Sequence, residues 1–206
     1  LYIPEIDGIR FLSLFLVTLF HIRGYFLEKT GIHFTDDPAS YVWLNTFLIN
    51  ADRSVPLFFT ISGFILATPF ANYYMNGAKE ISLKHYYLRR LTRLEPPYFI
   101  VMTCIFLAQL VIGTNNFHIL FPSLLASLIY SHDIIYQHTP LVTVVAWTLE
   151  VEIQYYIMAP FMFRLLALPK ALRRTLITAL IITFIVLQQL YRPPFLSIYG
   201  FIQYFL

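Results

Sequence analysis

A chain of 206 residues that is 58% hydrophobic, 18% aromatic and only 12% charged is not an ordinary soluble domain, since those carry about a quarter charged residues. Its apolar residues lie in blocks near the ~20 residues that cross a bilayer, so the expected fold is all-α, a polytopic transmembrane helical bundle. The net charge of +3 makes no case for nucleic acid, because the basic residues sit beside apolar blocks as the positive-inside rule requires; the single cysteine, Cys104, excludes an intramolecular disulfide.

Five to six spans are predicted, at about 9–28, 53–74, 96–113, 146–167 and 175–191, with the last beginning near 195. The first contains IDGIRFLSLFLVTLFHIRGYF, where Arg10 and His21 are costly choices. An ionisable group in hydrocarbon costs roughly 2.5–3.5 kcal/mol on insertion scales, so it usually has a partner and a task. From Arg10 to His21 is close to three whole helical turns, which puts both on one face about 16 Å apart. Asp7, one turn before Arg10, is a candidate partner. A snorkelling Arg10 and a hydrogen-bonding His21 are the plain structural alternative. The connection TGIHFTDDPASYVWLNTFLIN is expected to be an outer loop ending in a short amphipathic helix. In the next span, SVPLFFTISGFILATP sets Ser62 and Gly63 at mid-membrane, where a missing side chain lets a ligand or another helix come close.

On the far side of that span, HYYLRRLTRLEPPY places Arg90 and Arg93 one turn apart, a spacing that can fork onto phosphate oxygens. Lys79, Lys84 and Arg89 read as ordinary positive-inside charges, and Pro96-Pro97 as the start of the next helix. The stretch FHILFPSLLASLIYSH, 117–132, is short and interrupted by Pro122, which suits a re-entrant or interfacial segment. If it does not cross, the basic stretches 75–95 and 164–174 are both cytoplasmic and the basic-poor 28–53 and 113–146 are outside, with the N-terminus inside. AWTLEVEIQYYIMAP then opens a span with Glu150 and Glu152 in its outer half. The two carboxylates are about 200° apart on a helix, so one partners a buried group and the other faces outward, Glu150 being the better fit to a solvated helix-start acid. His33, His85 and His138 suggest loop and interface roles; the separation of His118 and His132 invites a haem assignment, but Pro122 lies between them and no second span supplies matching ligands, so neither haem nor a metal site is expected.

Taken in order, the Arg10-to-His21 helix, LFFTISGF, RRLTRLEPPY and WTLEVEIQYY resemble the acyltransferase 3 family of integral-membrane acyltransferases over residues 6–160. That family shows an Arg and a His with ten residues between them, an LFF-x-x-SGF segment, an Arg-x-x-Arg pair and a WSL-x-VE segment. Ser54, Glu95, Thr148 and Glu150 depart from its usual pattern. The resemblance implies O-acyl transfer, commonly of acetyl from acetyl-CoA, a donor substrate rather than a bound cofactor, to hydroxyls of carbohydrate or glycolipid acceptors. It makes His21 the base or acyl-relay residue, Arg10 its motif partner and Glu152 the matching glutamate of the catalytic set. Arg90 and Arg93 would receive the donor's phosphates, and Ser62, Gly63 and Phe64 would line the acyl path. Residues 1–206 then read as one integral domain of the plasma (inner) membrane, cut at its C-terminus. A proton-coupled transporter and a non-catalytic truncated membrane protein stay open as alternatives.

Overall fold

The computed structural model describes residues 4–30, 42–113 and 115–191, with the side chains of all but 28–30 and 191. The expected sixth span near 195, His33 and residues 31–41 of the first connection lie outside the described residues. Among the described residues all regular structure is helical: α1 (Pro4–Thr30), α2 (Val42–Ile49), a 3-10 turn at Asn50–Arg53, α3 (Ser54–Asn76), α4 (Leu83–Ile112), α5 (Phe117–Leu128), α6 (His132–Tyr136), α7 (Ala146–Met162) running into a 3-10 turn at Phe163–Ala167, and α8 (Lys170–Tyr191). Among the described residues three stretches are long and apolar enough to cross a membrane, Val42–Asn76, Leu83–Ile112 and Lys170–Leu190. The chain divides at Phe64 into two compact units.

In the first unit α1 packs against α2 and the turn that follows it. Arg23 ties the two helices together, its Nε and Nη2 both donating to Asn45 Oδ1 at 2.9 and 2.7 Å. The helix expected at the end of the first connection is α2, whose sequence VWLNTFLI is apolar but for Asn45 and Thr46, so it is only weakly amphipathic. Val42, Trp43, Phe47 and Ile49 are exposed and none of its residues is buried, the composition of a helix whose surroundings are not water.

In the second unit α7 runs antiparallel to α4. Near one end Tyr86 Oη donates to the Tyr156 carbonyl at 3.2 Å; near the other, Gln109 Nε2 donates to the Val142 carbonyl at 3.0 Å. Met102, Phe106, Leu120, Leu124, Val142 and Ala146 form a buried cluster between them. With 12 residues, α5 rises only about 18 Å, well short of a ~30 Å hydrocarbon core. It packs instead on the C-terminal half of α4. Phe70 packs edge-on to Tyr86 and tilted against Phe163, at 5.5 and 5.3 Å between ring centroids, so the start of α4 and the end of α7 share one end of the unit. The basic stretches 75–95 and 164–174 flank that end.

The helix α4 differs from its sequence reading. It begins at Leu83, not at the prolines, with the Ser82 side chain accepting from the His85 amide, and it ends at Gly113 with φ 77°. Pro96 and Pro97 lie inside it. They have no N–H to give to the carbonyls of Thr92 and Arg93, which costs helix bonds, but the helix continues because both flanks are tied to α7 and α5.

Candidate active-site residues

The first unit carries five of the expected residues. Because α1 is unbroken from Pro4 to Thr30, Arg10 and His21 keep their common face, about 16 Å apart. Arg10 is half-buried with its Cζ 5.2 Å from the centroid of the Phe58 ring, so the LFF segment supplies the arginine with an aromatic face. His21 is half-buried, edge-on to Phe20 at 5.4 Å. On α3, Ser62 and Gly63 are buried while Phe64 is 55% exposed. Ser62 Oγ is buried and has no hydrogen-bond partner among the described residues, which marks it as a polar atom awaiting one.

The second unit brings together two residues that the sequence placed in different groups. Arg90, half-buried near the start of α4, has its Cζ 4.1 Å from the Tyr86 ring centroid and 5.4 Å from that of Tyr156. Tyr156 donates its hydroxyl to the Glu152 carboxylate, and that carboxylate's charge acts on Arg90. The antiparallel packing of α7 on α4 therefore sets Glu152 at the level of Arg90, one helical turn before Tyr156, which corrects the sequence expectation that this carboxylate lies in the opposite, outer half of its span. Arg93 is exposed, one turn beyond Arg90. Tyr86 and Tyr156 carried no signal in the sequence. In a chain with 15 tyrosines, only the pairing of α4 with α7 selects these two.

Glu150 corrects the sequence reading of a solvated acid. It is 2% exposed, and its carboxylate oxygens accept from the Asp133 amide at 3.1 and 3.3 Å and from Gln154 Nε2 at 3.3 Å. The amides of His132 and Ile134 face it too. Ser131 gives α6 no side-chain cap, and Glu150 closes those helix-start N–H groups in its place. Both acids are thus buried, pointing to different partners as their 200° separation requires.

His132, which has no role legible in the sequence once haem is set aside, is fully buried. Its Nε2 lies 2.9 Å from Ser123 Oγ, which also accepts from the Leu141 amide at 3.2 Å. Burial, followed by the nearby charge of His138, holds its pKa below the usual histidine value. Burial raises the neighbouring Asp133. This cluster staples α5, α6 and the loop before α7.

Comparison with known proteins places these residues in context. The profile of the acyltransferase domain of the acyltransferase 3 family matches residues 3–206. Proteins of Staphylococcus aureus provisionally named O-acetyltransferases are similar: that of strain COL is 24% identical over 168 residues, 77% of this chain and 24% of its own length. Those of strains MSSA476 and MRSA252 are 23% identical over the same span. The chain spans about a quarter of the length of these curated relatives. No solved structure matches it significantly.

Proposed function

The chain belongs to the acyltransferase 3 family, and from that premise we propose that it moves an acyl group, acetyl in the first instance, from cytosolic acyl-CoA to a hydroxyl of a carbohydrate or glycolipid acceptor. The observation that carries this reading is the Arg90 arrangement. A guanidinium held 4.1 Å over a tyrosine ring by cation–π attraction still carries N–H donors suited to an anion, and exposed Arg93 adds a second cation one turn away. Both lie at the basic end of the second unit, which the positive-inside rule assigns to the cytoplasm along with the N-terminus. A polyanionic CoA head belongs there, in the plasma membrane, while its long arm carries the thioester inward.

His21 takes the proton of the acceptor hydroxyl as its oxygen attacks the thioester carbonyl. The C–O bond forms, the C–S bond breaks, and the thiolate leaves to be protonated as free CoA. Arg10 shares the helix face with His21 and, against Phe58, supplies positive charge to the same path; Ser62, Gly63 and Phe64 line it. General-base help of this kind contributes about 10²–10⁴-fold. The bilayer and the acceptor are its partners, and no resident cofactor is needed.

The test is transfer from radiolabelled acetyl-CoA in membranes carrying the protein. Changing His21→Ala is expected to lower label transfer at least ~100-fold, whereas Arg90→Ala/Arg93→Ala raises the acetyl-CoA concentration required. Equal labelling in wild type and both variants would overturn the reading.

A further inference from the structure

We infer that Glu152, Tyr156 and Tyr86 are positioning residues, a cradle that aims the N–H edge of Arg90, and that Glu152 does not itself touch the acyl group. This rests on the reading of Arg90 as the phosphate-binding cation. Tyr86 and Arg90 are four residues apart on α4, and Glu152 and Tyr156 four apart on α7, so each helix offers its pair on a single face. The two pairs interlock. Tyr86 Oη donates to the Tyr156 carbonyl at 3.2 Å, which fixes the height of one helix on the other. The Tyr156 hydroxyl donates to Glu152, which fixes the Tyr156 ring on which Arg90 rests at 5.4 Å. Arg90 in turn lies 4.1 Å over Tyr86.

Burial argues against direct chemistry by the carboxylate. Glu152 is 4% exposed, Tyr86 6% and Tyr156 9%, whereas a general base must reach the proton it removes. A carboxylate taken out of water needs a counter-charge and hydrogen bonds, and Tyr156 with Arg90 supplies both. Of the four residues Arg90 alone is half-exposed, so the cradle holds it from the buried side and leaves part of the side chain accessible. A long side chain held in one geometry before the ligand arrives binds more tightly than one ordered at binding.

The experiment measures kcat and KM for acetyl-CoA, and inhibition by free CoA, in membranes with Glu152→Gln, Tyr156→Phe, Arg90→Lys and the double variant Arg90→Lys/Glu152→Gln. Tyr87→Phe is the control: its hydroxyl makes an equivalent bond across the same helices, to the Ile157 carbonyl at 3.2 Å, while the change keeps its ring edge-on to Tyr86 at 5.0 Å. Expected are KM and CoA inhibition constants raised about 5–10-fold by Glu152→Gln and by Tyr156→Phe, kcat held within about twofold, and no change with Tyr87→Phe. In the Arg90→Lys background, Glu152→Gln should add nothing, since coupled residues are non-additive; a merely structural role would add its full effect in either background. A kcat loss of about 100-fold at constant KM would make Glu152 part of the chemistry, and unchanged constants would remove it from the donor site; either overturns the proposal. If wild type neither transfers acetyl nor responds to CoA, the functional reading falls with it, a result distinct from transfer with unaltered KM in the variants. The Tyr156→Phe arm keeps the ring and its volume, so it remains informative should Glu152→Gln fail to assemble.

Discussion

Protonation of His132, which lies outside the three stretches fit to cross a membrane and is buried against Ser123 at 2.9 Å, works against folding. The Leu141 amide already donates to Ser123 Oγ, which frees the serine O–H to donate to Nε2. A second ring proton would put two donors face to face. Burial and His138 hold the folded pKa below the ordinary value, so the unfolded chain binds a proton that the folded chain refuses. Stability is therefore complete above about pH 6.5 and falls as pH drops from there toward the folded pKa. Asp133, raised by burial, works with the opposite sign in the carboxylate range. The thermal midpoint in detergent should fall between pH 7.5 and 5.5, and His132→Gln should flatten that dependence; a midpoint difference between the two that does not vary with pH would refute the assignment. Arg10, His21 and Glu152 were legible in the sequence because charge inside an apolar run is rare. Tyr86, Tyr156, Ser123 and His132 were not, since their roles exist only once α4, α5 and α7 are paired.

At the level of elements, the end of the second unit that holds Arg90 depends on an aromatic knot. Phe70, 3% exposed, joins the end of α3 to Tyr86 on α4 and to Phe163 at the end of α7. Truncating it to alanine leaves a void on two sides of Tyr86. In a soluble core Phe→Ala costs about 3–5 kcal/mol. Between membrane helices the transfer part is largely absent, because lipid is as apolar as the core, so the loss should lie below that range and come from lost packing. The expected outcome for Phe70→Ala is a lowered unfolding midpoint together with weaker inhibition by CoA, since Tyr86 loses its support; Phe70→Leu should recover part of both. An unfolding loss with unaltered CoA inhibition would separate the knot from the Arg90 cradle. Apolar runs revealed where α3, α4, α7 and α8 lie, but not where α4 starts. Its first turns, LKHYYLRRLTRLE, are too polar to count as a span, and the Pro96-Pro97 pair imitates a helix start. Tertiary ties to α7 overrode both signals.

For the whole molecule, the two ends of α4 decide where the rest of the chain lies. Its 30 residues extend about 45 Å, more than a bilayer core, so they face opposite sides. The loop before α7 joins α4 at its far end through Gln109 and Val142, and the end of α7 returns to its start through Tyr156 and Tyr86. Lys79 and Arg174 must then share one side, with Thr139 on the other. The positive-inside rule makes the first side cytoplasmic. The measurement is labelling of single cysteines by a membrane-impermeant maleimide after Cys104, exposed on α4, is changed to alanine. Thr139→Cys should label in intact cells, whereas Lys79→Cys and Arg174→Cys should label only after permeabilisation. Arg174→Cys labelling together with Thr139→Cys would mean that the segment around α5 crosses the membrane, which would also put the second basic stretch on the wrong side for a cytosolic donor. A mirror-image result, with Thr139 alone inside, would keep the helix pairing but take Arg90 away from CoA, and with it the proposed chemistry.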